Sequence, residues 1–307
     1  MNLKPKVVAI CGPTGVGKTE LSILVAKHFS AEIINFDSQQ FYKELVIGTA
    51  KPTPEEQKGV PHHLFEELSL REEMSAGKFV ELADRIIEEI QHRGNLPLLV
   101  GGTGLYLRAF EYGIFQVKVD KTLREALRDR AKGDVVVLYE ELKEKDPLYA
   151  SKIHPRDKVR IIRALEVIYS TGKPFSSFHR ETPFFQAKRY PLLKIGLYLP
   201  REELYAKLNQ RVKIMIQRGW LQEVENILKV YGKEIFSKIK AIGYRTLLEV
   251  LEGKRTLESA IEIIQRDTRR YAKRQLTWFR KERDLIWFKP DEQEKILEKI
   301  GSFLYGE

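Results

Sequence analysis

Short apolar runs alternate with amphipathic stretches along the first hundred residues. KVVAIC at 6–11, EIINFD at 32–37 and LPLLVGG at 96–102 are β-rich, and their near-continuous apolar character predicts strands buried on both faces. Between them, TELSILVAKHF at 19–29 and FVELADRIIEEIQHRG at 79–94 predict helices. In the second of these, Val80, Ala83, Ile86, Ile87 and Ile90 fall on one face, and Gly94 is a stop signal. KIGLYLP at 194–200 predicts a fourth strand. Buried strands alternating with helices predict an α/β fold with a parallel sheet covered on both faces.

The pattern changes between about 115 and 190. LREALRDRAKG, VVLYEELKEKD and RDKVRIIRALEVIYSTG are helical and strongly charged, FSSFHRETPFFQAKRYP reads as an aromatic loop, and no strand run intervenes. This predicts a helical insertion over 115–190, leaving a core of 1–114 and 191–307 after the third strand and returning at the fourth. Beyond 201 the chain reads as mostly helical. LYAKLNQRVKIMIQRGWLQEVENIL places apolar residues at 204, 208, 212, 215, 221, 224 and 228, and IIQRDTRRYAKRQLTWFRK at 263–281 is a basic helix.

Composition narrows the class. The 307 residues are 43% hydrophobic, with no run approaching the roughly 20 apolar residues of a membrane span. No apolar export signal precedes the first strand, so a cytoplasmic protein is expected, monomeric by default and with no obligate protein partner. Cys11 is the single cysteine and sits in the apolar VVAIC run, which excludes an internal disulfide and a cysteine zinc site. The formal charge of +10 favours a polyanionic partner.

The most specific local signal is Gly12-Pro13-Thr14-Gly15-Val16-Gly17-Lys18-Thr19, which fits G-x4-G-K-T between a strand and a helix. Glycines let the backbone curl so that N–H groups converge, the helix N-terminus adds positive potential, Lys18 adds a charge, and the Thr19 hydroxyl can ligate Mg²⁺. These residues predict a loop that binds pyrophosphate or a nucleotide's phosphates, on a P-loop NTPase-like sheet. The motif alone does not specify ATP. A small-molecule or nucleotide kinase is the rival reading, but it calls for an acid at the end of an apolar strand. The third strand ends LLVGGTG, without one. The nearest acid at a strand end is Asp37, a candidate metal ligand or base.

At this point GPTGVGKT, DSQQFYKELVIGTAKPTPEEQKGVPHH, LVGGTGLYL, RIIRALEV, RVKIMIQRGWLQEV, KAIGYR and YAKRQLTWFR, in this order along the whole chain, resemble the tRNA dimethylallyltransferases, in the bacterial form without an appended zinc finger. The resemblance implies transfer of a dimethylallyl group from dimethylallyl diphosphate to N6 of adenosine 37 beside the anticodon, with Mg²⁺ as cofactor and the tRNA anticodon stem-loop as partner. It implies Asp37 as the group that takes a proton from the adenine amine, Thr103 beside the reaction channel, and Arg211 on the diphosphate. Ser38, Gln39 and Gln40 would then recognise the flipped base.

The basic segments acquire an RNA role from the same resemblance. Within 264–281, Arg266, Arg269, Arg270, Lys273, Arg274, Arg280 and Lys281 stand against one acid, Asp267, with Tyr271, Trp278 and Phe279 interleaved. Lys152, Arg156, Lys158, Arg160 and Arg163 form a second patch on the insertion. Expected tRNA contacts are Arg124, Val159, Arg160, Ile161, Ile162 and Arg163, then Lys240, Ala241, Ile242, Gly243, Tyr244 and Arg245, then Arg270, Lys273, Arg274 and Arg280. Cations of this kind grip the phosphate backbone.

Overall fold

The computed structural model describes residues 4–115, 117–181 and 187–306. In chain order the elements of the first stretch are β1 (Val7–Cys11), α1 (Lys18–Phe29), β2 (Ala31–Asn35), α2 (Pro54–Gln57), β3 (His62–His63), α3 (Ala76–His92), β4 (Leu96–Gly101) and α4 (Gly104–Tyr112). Next come α5 (Lys121–Gly133), α6 (Val135–Lys145), α7 (Pro147–Ala150), α8 (Lys158–Thr171) and α9 (Phe175–Glu181). The rest comprises β5 (Leu192–Leu197), α10 (Arg201–Gln217), α11 (Trp220–Tyr231), α12 (Tyr244–Leu251), α13 (Leu257–Phe279), β6 (Leu285–Phe288) and α14 (Gln293–Tyr305).

The sheet is parallel throughout, in the order β3-β2-β4-β1-β5-β6. Four of its strands answer to the apolar runs of the sequence. β3 and β6 do not, because β3 is a two-residue edge and β6, LIWF, is a short run among charged residues. Phe36 and Asp37 lie just past the end of β2 rather than within it. Gly219, at φ +96°, interrupts the long amphipathic pattern of 204–228 and separates α10 from α11. The side-chain period survives the break, so the pattern alone could not reveal it.

The chain divides into two compact units, Met1–Glu111 with Tyr190–Glu307, and Tyr112–Arg189. In the first, the sheet packs with α1, α10, α13 and α14 around a core that includes Ile10, Leu21, Ile33, Leu98, Ile195 and Leu208. A second apolar cluster gathers Trp220, Val224, Ile227, Tyr244, Leu247 and Ile264 from α11, α12 and α13.

The second unit is α5 to α9 around Leu127, Leu138, Leu142, Ile161, Leu165 and Phe175. Its helix starts are capped by Asp120, Asp134, Asp146 and Asp157, each accepting a backbone N–H of the first turn. Part of the segment read as an aromatic loop is helical, as α9. Residues 182–186 of that segment lie outside the described residues.

Candidate active site

β1 hands directly into the glycine loop, whose geometry requires its glycines. Gly12 has φ +144°, and a Cβ there would stand 2.7 Å from the Leu197 carbonyl oxygen. Gly15 has φ +75°, and a Cβ would meet Leu208 Cδ2 at 2.6 Å. Side chains other than hydrogen are strained at such angles and have no room here. The Lys18 Nζ donates to the carbonyls of Gly12 (3.0 Å) and Pro13 (2.9 Å), so the cation is held over its own loop. Burial pushes Lys18 down to about 8, opposed by the charge of Asp37 and reinforced by that of Arg211.

The turn after β2 is built around Asp37. Asn35 Oδ1 accepts the Asp37 N–H at 2.8 Å, and Asp37 Oδ1 accepts the Gln39 N–H at 3.0 Å. Burial raises the Asp37 carboxyl above the usual carboxylate range, while the Gln39 bond and the charges of Lys18 and Arg211 pull the other way. Thr103, just past β4, accepts the Ser38 N–H on its Oγ1 at 3.0 Å. Arg211, on α10, donates to Thr14 Oγ1 at 3.3 Å. Asp37, Thr103, Arg211 and the loop around Lys18 are therefore brought to one place at the carboxyl end of the sheet, where ligands of open α/β sheets bind.

Two cavities meet there. One, of about 650 Å³, is lined by Lys18, Thr19 and other loop residues, with Lys51, Lys207 and Arg218 around it. The other, of about 320 Å³, is walled by Leu208, Val212, Met215, Trp220, Ile242 and Tyr271, with Ser38, Gln39, Lys240, Ala241 and Arg274 also on its lining. Thr14, Asp37, Thr49 and Arg211 line both. A cationic chamber thus adjoins a largely apolar one across a partition that carries a carboxylate.

Gln40 faces the cationic side, where its Nε2 donates to the Thr49 and Ala50 carbonyls at 3.0 and 3.3 Å. It braces the loop at 47–52, IGTAKP, rather than offering its amide to a base.

Beyond the apolar chamber, Lys240, Ala241, Ile242, Gly243, Arg245, Arg270 and Arg274 line an open groove. Lys273 on α13 and Arg280, just past its end, are exposed. Several expected RNA contacts do not offer their side chains. Tyr244 is fully buried, and its hydroxyl donates to Glu223 at 2.7 Å. Gly243 is packed against the Trp220 ring. Arg245 is spent in part on the carbonyls of Phe236 (2.7 Å) and Ser237 (2.5 Å). In the second unit Ile161 and Ile162 are core residues, whereas Val159 is 79% exposed. Arg124 and Arg163 both bind the buried Glu166, at 2.9 and 3.2 Å. The apolar stripe of α8 therefore points inward, and of the expected contacts on it Val159 and Arg160 are the exposed ones.

The sequence reading missed other members of the site. Glu223 of α11 accepts the backbone N–H groups of Val46 (3.2 Å), Ile47 (2.7 Å) and Gly48 (3.3 Å), which fixes the IGTAKP loop. Trp220 packs against Gly48 so closely that a Cβ there would overlap the indole. Nothing local marks Glu223, since an exposed helical glutamate and a loop anchor look alike in sequence. Gln275 carries a weak signal, a neutral amide within a cationic helix.

Fold and site together define an α/β protein with a glycine loop of P-loop pattern, whose cationic chamber opens onto a second, largely apolar one. A family model described as IPP transferase matches residues 40–282. The chain is 43% identical to a tRNA dimethylallyltransferase of Desulfosudis oleivorans, over 97% of this chain and 94% of that protein. It is 45% identical to one of Carboxydothermus hydrogenoformans, over 97% of each. Among solved structures, it resembles the tRNA isopentenylpyrophosphate transferase of Bacillus halodurans with a TM-score of 0.71 and 40% identity, covering 99% of this chain and 96% of that one. A eukaryotic dimethylallyltransferase acting on tRNA gives a TM-score of 0.86 and 31% identity, covering 99% and 80%. This chain belongs to the IPP transferase family of tRNA dimethylallyltransferases.

Proposed function

We propose that the chain transfers a dimethylallyl group from dimethylallyl diphosphate to N6 of adenosine 37 in tRNA, releasing diphosphate. One observation carries this reading: the cationic chamber at the glycine loop and the apolar chamber meet at Asp37. The donor's diphosphate belongs with Lys18, Thr19 and Arg211, which places its C1 carbon at the partition. The flipped adenine enters the second chamber from the side of the basic groove, past Ser38 and Gln39. As the N6 nitrogen forms its bond to C1, the C1–O bond breaks and its electron pair leaves with the diphosphate. Lys18 and Arg211 lie where that charge grows, which favours the transition state over the ground state. Asp37 takes the proton that N6 gives up. Thr103 holds the turn that presents Asp37.

The loop fits Mg²⁺. Thr19 lines the cationic chamber, and the described residues contain no group of three His, Cys, Asp or Glu side chains that could hold a metal ion. Thr19 and the donor's phosphate oxygens form a hard oxygen set of the kind Mg²⁺ prefers. The ion would supply charge neutralisation at the leaving diphosphate. The kinase alternative has no support at β4, which runs into Gly102 and Thr103 where it requires an acid.

Contacts along the groove of Arg270 and Arg274, and at Val159 and Arg160 of the second unit, are the proposed hold on the anticodon stem-loop. Among the described residues no helix is long and apolar enough to cross a membrane. The test is mass analysis of tRNA nucleosides after incubation with enzyme, dimethylallyl diphosphate and Mg²⁺. One adenosine should gain a single five-carbon unit. An unmodified nucleoside pool, or acceptor-dependent ADP release from ATP, would overturn the assignment.

A further inference from the structure

We infer that Gln275 is the positioning residue that sets both walls of the reaction partition from helix α13. This rests on the function proposed above and adds a residue to it. Gln275 is only 5% exposed, and both ends of its amide are committed. Its Oε1 accepts the Thr14 N–H at 2.9 Å, and its Nε2 donates to the Gly102 carbonyl at 3.0 Å. One side chain thus ties the glycine loop after β1 to the turn after β4.

Thr14 and Thr103 are the two residues this tie places. Thr14 lines both chambers, and its hydroxyl receives Arg211 at 3.3 Å, so its backbone position also sets that of the guanidinium. Thr103 follows Gly102 and holds Ser38, the neighbour of Asp37, at 3.0 Å. The turn is gripped from both sides by the same helix. A Cβ on Gly102 would overlap the Gln275 amide, and a Cβ on Gly104 would overlap the Trp278 indole, one turn further along α13. The two glycines that flank Thr103 are therefore explained by contact with residues 275 and 278.

A buried amide with both partners matched is costly to disturb, because each lost bond leaves a desolvated group behind. The consequence here is geometric, since Gln275 lines neither chamber. Displacing Thr14 and Thr103 by a fraction of a bond length misaligns Arg211 and Asp37 with the reacting carbon and nitrogen. A misplacement of about 1 Å is enough to cost roughly 10²-fold in rate.

The experiment compares wild type with Gln275→Leu and, independently, Gly102→Ala, which displaces the amide without changing Gln275. Steady-state transfer, tRNA affinity, inorganic pyrophosphate affinity and amide hydrogen exchange at Thr14 are measured on each. We expect kcat to fall by about 10²-fold in both variants, KM for dimethylallyl diphosphate and tRNA affinity to change little, and the Thr14 amide to lose protection. Unchanged kcat, or a rise in KM with kcat intact, would overturn the inference, as would a Thr14 amide that stays protected in Gln275→Leu. If Gly102→Ala does not fold, the leucine variant decides alone. Thr14 exchange and pyrophosphate binding need no turnover, so an inactive wild type would count against the proposed reaction and leave the tie to be judged by exchange.

Discussion

Replacing Asp37 by Asn separates proton transfer from every other task at the site. An amide oxygen still accepts the Gln39 N–H, now at 3.0 Å from Asp37 Oδ1, and the side-chain volume barely changes. The turn should therefore keep its shape, and Thr103 its bond to Ser38. What disappears is a group able to accept the N6 proton. Loss of a general base costs about 10²–10⁴ in rate, roughly 3–5 kcal/mol in the barrier.

The pH profile sharpens this prediction. Burial raises the Asp37 carboxyl, and only its ionised form accepts a proton, so kcat/KM of wild type should climb as pH rises through that raised value. Lys18 is pushed down to about 8, so the free enzyme loses its ammonium charge, and with it diphosphate affinity, as pH rises past that point. Wild type should give a bell, and Asp37→Asn only its alkaline limb. Single-turnover transfer with radiolabelled dimethylallyl diphosphate, run with a tRNA filter-binding control across the same pH range, measures both. A variant with wild-type single-turnover rate, or one that retains the acid limb, would refute the assignment of Asp37 as base.

Three further outcomes are expected. Arg270→Ala and Arg274→Ala should each flatten the slope of log tRNA affinity against log salt by about 1 and leave pyrophosphate affinity in place; a loss confined to pyrophosphate would put these residues at the phosphate chamber instead. Glu223→Gln weakens a set of charge-assisted bonds to Val46, Ile47, Gly48 and Tyr244 and should lower stability to urea by about 1–3 kcal/mol, with a fall in transfer as the IGTAKP loop loosens; an unchanged midpoint would show that the loop holds without it. Glu32 is held down to about 2, foremost by its hydrogen bonds from Arg93 and also by those from Asn95 and His63, against the opposing effect of burial. Its stabilisation is complete above the ordinary value of 4.5 and is lost as pH falls toward 2, so Glu32→Gln should flatten the acid end of a stability-versus-pH curve.

The sequence alone determined much of the phosphate site, because a glycine loop between a buried strand and a helix is a local object. The left-handed φ angles of its glycines and the place of Lys18 over the Gly12 and Pro13 carbonyls follow from eight consecutive residues. Four strands and the helices α1, α3, α5, α6, α8 and α13 were legible for the same reason, since apolar periodicity reports burial directly. The two short strands were not: β3 pairs over two residues and β6 over four, and such short pairings are decided by the neighbouring strand. The break at Gly219 was hidden because the apolar spacing continues across it.

Tertiary structure decided which residues share the partition and which are core. Thr14, Asp37 and Arg211 lie on three separate segments, and only the parallel order of the sheet, with α10 laid over it, brings them together, with Thr103 behind them on Ser38. Burial divided α8 into an inner face with Ile161 and Ile162 and an outer face with Val159 and Arg160, and it moved Tyr244 from the basic groove into the core. It also gave meaning to Glu223 and Gln275. Each is an ordinary polar residue on a helix until folding places backbone N–H groups and carbonyls from distant loops within its reach. Local motifs are written in consecutive residues. A carboxylate or amide that satisfies another segment's backbone is written only in the contact.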